Sequence, residues 1–201
     1  MKKTLAIALV LGIGVGGYAI GNLQNSGNEV ASTTSVSTPA SSATTSVELG
    51  NPPADPQAAL AWNALMDPTG EYAAFAMYTA VIDKYGEVEP YTTIRSAEQR
   101  HIDALIRQLD RYGITAPENP YLGQVSAPAD LTSAAKAWAT GETDNVALYE
   151  GLLTKTTDAN LIKVFNNLKT ASLEVHLPLF EQAAQNGGQL TNDQRMTLMH
   201  S

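Results

Sequence analysis

Glu71-Tyr-Ala-Ala-Phe-Ala-Met-Tyr78-Thr-Ala-Val-Ile82 is answered, 142 − 71 = 71 residues later, by Glu142-Thr-Asp-Asn145-Val-Ala-Leu-Tyr149-Glu-Gly-Leu-Leu153. Each stretch opens on an acid and, after six residues, reaches a tyrosine preceded by Ala-Met or Ala-Leu. A second pair of segments follows the first. Ile94-Arg-Ser-Ala-Glu98-Gln-Arg-His101 comes after one, and Leu168-Lys-Thr-Ala-Ser172-Leu-Glu-Val-His176 after the other. Apolar residues recur at three and four, the helical period, and no segment alternates in the manner of a strand. The reading is an all-α fold, a four-helix bundle of two antiparallel pairs joined by a long crossover. Such a bundle builds sites in its core from side chains on facing helices.

Local signals set the expected helix limits. A short helix is predicted through Gln57 to Leu65. Asp67-Pro68 reads as a helix start, an acid cap with proline in the first turn, and Gly86 as its stop. Glu71, Ala74, Phe75, Tyr78 and Ile82 form its inward face. Pro90 opens the second bundle helix, which ends at Tyr112-Gly113 and turns Tyr91, Ile94, Glu98, His101, Leu105, Leu109 and Tyr112 inward. A segment with Pro117, Pro120 and Pro128 crosses to the second pair. Asp130 or Thr132 caps the third helix, and Thr157-Asp158 begins the fourth. Pro178 lies inside the fourth pattern and predicts a kink. Gly187-Gly188 ends it, and a short polar helix finishes the chain.

The first 54 residues read differently. Met1-Lys-Lys3 precedes an uncharged apolar run to Ile20, short for a membrane span of about 20 residues. Residues 1–21 are expected to be a signal peptide or an uncleaved N-terminal anchor. Residues 22–54 read as a spacer expected to stay disordered. Eleven of the fifteen residues from Ser32 to Ser46 are serine or threonine, too polar to offset the entropy of ordering. Residues 55–201 suit one folded domain. Export is therefore expected, with the domain secreted or tethered at the cell surface, and contact with a membrane only through the N-terminal segment. The chain has no cysteine and a net charge of −8. Disulfides are excluded, and no basic stripe suited to nucleic acid is present.

Glu98 and His101 stand three apart, so both project from one side of a helix, and that side is the apolar one. Glu71 and Glu142 also interrupt apolar stripes, and His101 and His176 are two of only three histidines. Buried acids need protons, cations or hydrogen bonds to neutralise them. A divalent metal, iron or manganese foremost and zinc as a third choice, suits a set of carboxylates and imidazoles. The expected ligands are Glu71, Glu98, His101, Glu142 and His176, for one ion and at most two. The competing reading is a set of polar residues tied to tyrosines and Asn145 that keep helices in register.

Glu71, Glu98-x-x-His101, Glu142 and His176 in this helix order resemble the ferritin-like superfamily. The phrases Glu142 to Tyr149 and Ala171-Ser172-Leu-Glu-Val-His176-Leu-Pro178-Leu-Phe180 resemble more closely a bacterial family of exported ferritin-like domains of unknown function. The likeness spans Glu71 to about Gln185. It implies two ions held by a glutamate and an E-x-x-H from each half. The second half departs from that pattern: Leu173 stands where the acid of E-x-x-H would be, and Ser172 is the repeat counterpart of Glu98. A single or unevenly filled site follows, with Leu173→Glu expected to restore the pattern and with oxidoreductase activity in doubt. The alternative function is a surface-displayed interaction or structural module that has lost metal-dependent redox activity.

Overall fold

The computed structural model describes residues 49–200, so the expectations for the leader and most of the spacer lie outside the described residues. Among them are seven α-helices: α1 (Pro56–Met66), α2 (Glu71–Tyr85), α3 (Tyr91–Arg111), α4 (Leu131–Leu153), α5 (Ala159–Ala171), α6 (Leu177–Gln185) and α7 (Asn192–Met199). A five-residue π-turn, Ser172–His176, joins α5 to α6. The described residues hold no strand, only an isolated antiparallel bridge between Glu89 and Leu190. The fold is all-α. No helix among the described residues is long and apolar enough to cross a membrane.

Most helix limits follow from their caps. Asp55 accepts from the amides of Gln57 and Ala58, Asp130 from Ser133, and Asp158 from Asn160 and Leu161. Each supplies oxygen to amides that the first helical turn leaves without partners. Gly86 ends α2 at φ +85°, as a residue without Cβ does readily. One expected start is corrected. Asp67 does not cap α2; its carboxylate accepts from the amide and hydroxyl of Thr69, closing a turn at the end of α1. That local bond competes with capping, and α2 begins at Glu71 behind Gly70. A Cβ on Gly70 would lie 2.4 Å from the carbonyl oxygen of Ala64.

α2 packs on α3, and α4 on α5 and α6. The inward face of α2 is rotated from the expected one, with Tyr72, Ala73 and Ala76 buried and Ala74 and Phe75 half-buried. The crossover segment explains the shift, because it covers Tyr72, whose hydroxyl donates to the carbonyl of Pro117.

The buried side chains form two apolar clusters. Leu65, Tyr72, Ile102, Leu105, Leu109, Tyr149 and Phe165 belong to one. Tyr78, Val81, Tyr91, Ile94, Trp138, Leu179 and Phe180 belong to the other. Along α3 the order is Ile94, then Glu98 and His101, then Leu105. Along α4 it is Trp138, then Glu142 and Asn145, then Tyr149. The expected polar residues thus occupy a layer between two apolar halves. Burying a large apolar side chain contributes about 1.5–3 kcal/mol, so the clusters hold that layer from both ends.

The close of α6 against the start of α4 has no room for a side chain. Gly188 has φ +89°, and a Cβ there would lie 2.0 Å from the carbonyl carbon of Leu131. The Tyr91 hydroxyl reaches the carbonyl oxygens of both residues, at 2.9 Å from Gly188 and 3.1 Å from Leu131. Gly188→Ala should therefore destabilise the fold by about 3 kcal/mol or more, from backbone strain and overlap together. Melting by circular dichroism tests this. An unchanged midpoint would mean that the two backbones separate easily.

Candidate metal centre

Three helices and the π-turn bring the five expected side chains to one place. Glu71 is the first residue of α2, Glu98 and His101 lie in mid α3, Glu142 is in α4, and His176 closes the π-turn. Glu71, Glu98, Glu142 and His176 are buried, and His101 is nearly so. Glu98 is shared. Its Oε2 lies 3.0 Å from His101 Nδ1 and its Oε1 lies 3.1 Å from His176 Nδ1. Glu71 Oε2 approaches His101 Nδ1 at 3.4 Å, and Glu142 Oε2 approaches His176 Nδ1 at 3.4 Å. Two triads result, Glu71–Glu98–His101 and Glu98–Glu142–His176, in each of which the ligand atoms lie within 4.8 Å of one another. The two imidazoles stack with ring centres 5.5 Å apart.

Tyrosines complete the arrangement by crossing between the repeats. Tyr78 of the first repeat donates to Glu142 Oε1 in the second, and Tyr149 of the second donates to Glu71 Oε1 in the first. Each outer glutamate thus has one oxygen fixed by a tyrosine and the other turned to a histidine. Burial, together with the charge of the facing carboxylates, pushes both phenols well above their ordinary range, so they remain donors.

The sequence signal for the second repeat is corrected at one position. Leu173, expected to mark the missing acid, is 45 % exposed, whereas Ser172 is 1 % exposed and faces the layer. Glu174 is exposed, as its spacing implied. The cause is the π-turn: the amide of Leu177 reaches back to the carbonyl of Ser172, five residues away. Pro178 has no amide hydrogen, and its ring would meet the carbonyl of Glu174 in a regular helix. A widened turn relieves that contact, in place of the simple kink expected. The signal was present in the spacing, since 101 − 98 = 3 whereas 176 − 172 = 4. Wide turns of this kind recur at functional sites. Ser172 donates to Asn145 Oδ1 at 2.8 Å, and Asn145 Nδ2 donates to the carbonyl of Thr69 at 2.9 Å. A neutral polar pair therefore occupies the position in the second repeat that corresponds to Glu98 in the first.

Protons neutralise the layer when no metal is bound. Burial, with the charge of the neighbouring Glu98, raises Glu71 to about 8, so Glu71 keeps a proton at neutral pH. Burial also opposes ionisation of Glu98, but the neighbouring Glu71 and the charges of His101 and His176 outweigh it and hold Glu98 well below its ordinary range. Burial likewise opposes charging of the imidazoles. The glutamates outweigh it, taking His101 to about 11 and His176 to about 10.

Even so, Glu71 Oε2 and His176 Nδ1 are fully buried without an aligned hydrogen bond, although charge partners lie 3.1–3.4 Å away. A metal ion that displaced the protons would give both atoms a partner. That donor set, three carboxylates and two imidazoles, fits a first-row divalent ion. No known protein family, no curated protein and no solved structure matches this chain.

The three raised groups all stabilise the metal-free fold more at lower pH. The contribution of the histidines is complete below their unfolded value near 6.5 and is lost as pH rises through about 10–11. That of Glu71 is complete below 4.5 and lost through about 8. Glu98 acts in the opposite sense, but only below its unfolded value of 4.5. The melting temperature of metal-free protein should therefore fall by several degrees between pH 7 and pH 10. Saturating manganese should reduce the fall, because a bound ion takes the place of the protons. A metal-free midpoint that is flat or rising over that window contradicts this charge assignment.

Proposed function

We propose that the chain is an exported ferritin-like domain, a four-helix bundle formed by α2, α3, α4 and the α5–π-turn–α6 helix, that binds first-row divalent metal in its core. The ligands are Glu71, Glu98, His101, Glu142 and His176, with iron or manganese as the favoured ion. The observation that carries this reading is Glu98, one buried carboxylate whose two oxygens serve two histidine-containing triads. Glu98 would serve one ion or be common to two, and the repeat that generates the triads supports the bundle reading. Export rests on the leader and on the Ser/Thr-rich spacer, and the acidic balance favours cations over nucleic acid as partners.

The chain's own residues have separate tasks in this reading. Tyr78 and Tyr149 fix the outer carboxylates, as hydrogen-bond partners of metal ligands generally do. The two apolar clusters exclude water from the layer. A bound ion would supply Lewis acidity and, if it is iron or manganese, one-electron chemistry. Ser172 supplies no charge where a fourth carboxylate would offset the mutual repulsion of two cations. That absence favours metal binding over fast oxygen chemistry as the function. It is also the observation that favours the second reading, a displayed helical module whose polar layer only keeps its helices in register.

Metal content and melting of the full chain, purified without a chelating tag, separate these readings. One to two equivalents of iron or manganese should remain after desalting, and the melting temperature should rise with free metal, as for any ligand of the folded state. Glu98→Ala should remove most of the metal, and its melting deficit should be larger with metal than without. A register role predicts an equal deficit of about 1–3 kcal/mol in both conditions. Ser172→Glu, which adds a carboxylate to the layer, should raise occupancy towards two, whereas Leu173→Glu, on the exposed side of the turn, should leave it unchanged. Protein that takes up no metal and melts identically with iron, manganese or zinc contradicts the proposal.

A further inference from the structure

The two triads are chemically alike, each with two glutamates and one histidine, but they are not equally enclosed. His101 is 13 % exposed at its side chain, whereas Glu98, Glu142 and His176 are each at 3 %. On α3, Gln99, Arg100 and Asp103 around His101 are exposed, so this ring lies at the edge of the layer. Both triads have an aromatic wall, Tyr149, which holds Glu71, lying 5.9 Å from Phe165 beside the outer one, so the difference in enclosure lies at the histidine. Tyr78, which holds Glu142, stacks on Phe180 at 5.4 Å and meets Trp138 edge-on at 6.0 Å. All three rings are buried. Behind them, Leu179 and Ala183 of α6 pack in the same cluster.

A hydrated ion loses its water stepwise, exchanging each molecule for a ligand it can reach. An ion arriving from solution would meet the partly exposed His101 first. The more enclosed Glu98–Glu142–His176 position would then be filled through Glu98, the carboxylate common to both triads. Leaving that inner position requires the same path in reverse, or a local opening of the aromatic wall. Glu71 Oε2, buried and without an aligned hydrogen bond, belongs to the outer position, and His176 Nδ1 belongs to the inner one. Each position therefore has its own unsatisfied donor atom.

Resting on the metal-binding reading above, we propose that the protein holds one resident and one exchangeable divalent ion. The ion at Glu98–Glu142–His176 is retained. The ion at Glu71–Glu98–His101 trades with solution past the His101 ring, and is cargo or substrate more than structural cofactor. Release of metal from the folded chain tests this. Full-length protein loaded with zinc is desalted and mixed with excess EDTA, and protein-bound zinc is followed by elemental analysis of rapidly desalted samples.

Two phases of about one equivalent each are expected. The second should be slower on the order of a hundredfold, because it waits on local opening of the fold. His101→Ala should delete the fast phase and His176→Ala the slow one. The wild-type time course decides the matter should either variant fail to fold. Two equivalents leaving in a single phase, or one equivalent throughout, overturns this proposal and leaves metal binding standing. Protein with no zinc after loading overturns the metal-binding reading and this one with it.

Discussion

Three carboxylates and two imidazoles lie in one layer between two apolar clusters, and the rest of the molecule is arranged around the need to neutralise them. Isolated buried charges cost several kcal/mol each, and breaking one partner out of a buried pair typically costs about 3–5 kcal/mol. The chain meets the requirement with protons at Glu71, His101 and His176 and with phenolic donors at Glu71 and Glu142. Each of these devices couples two helices. The Tyr78–Glu142 bond ties α2 to α4, as does Tyr149–Glu71, while Glu98 ties α3 to the π-turn through His176. The polar layer is thereby both the candidate site and a set of cross-links. Two buried ligand atoms nonetheless stay without an aligned hydrogen bond. Protons neutralise the layer without satisfying it, and a divalent ion would satisfy it.

The duplication explains why the layer has its shape. An acid and a tyrosine separated by six residues sit two turns apart on a helix, so the tyrosine of one repeat reaches the acid of the other when the helices run oppositely. The same operation relates Glu98 to Ser172 and His101 to His176. Within the second helix of each pair it is imperfect at one point, where the second repeat has one more residue before its histidine and the extra residue is absorbed by the π-turn ahead of Pro178. The result is a centre with near-twofold ligand placement but unequal charge and unequal enclosure.

Much of this was legible in the chain, for identifiable reasons. Helix limits at Gly86, Pro90, Asp130 and Asp158 were readable because caps are local chemistry. The convergence of Glu71, Glu98, His101, Glu142 and His176 was readable because an acid inside an apolar stripe has few other places to go. The start of α2 was misread because Asp67 turns its carboxylate to Thr69, a choice decided by the tight reversal at Gly70. Leu173 is not the site of the missing acid because the E-x-x-H spacing presumes a regular turn before His176, whereas the chain there forms a wide one ahead of Pro178. The pairing of each tyrosine with the opposite repeat's glutamate, and of Ser172 with Asn145, depends on helix packing and has no one-dimensional signature.

Anomalous diffraction from crystals of the full chain grown with manganese tests the central claim most directly. The account predicts two anomalous peaks flanking the carboxylate of Glu98. The one at Glu142 and His176 should be at least as strong as the one at Glu71 and His101. A map with no peak inside the layer, in a crystal grown at saturating manganese, would contradict it. Protons and tyrosines would then be the whole of what neutralises these buried acids.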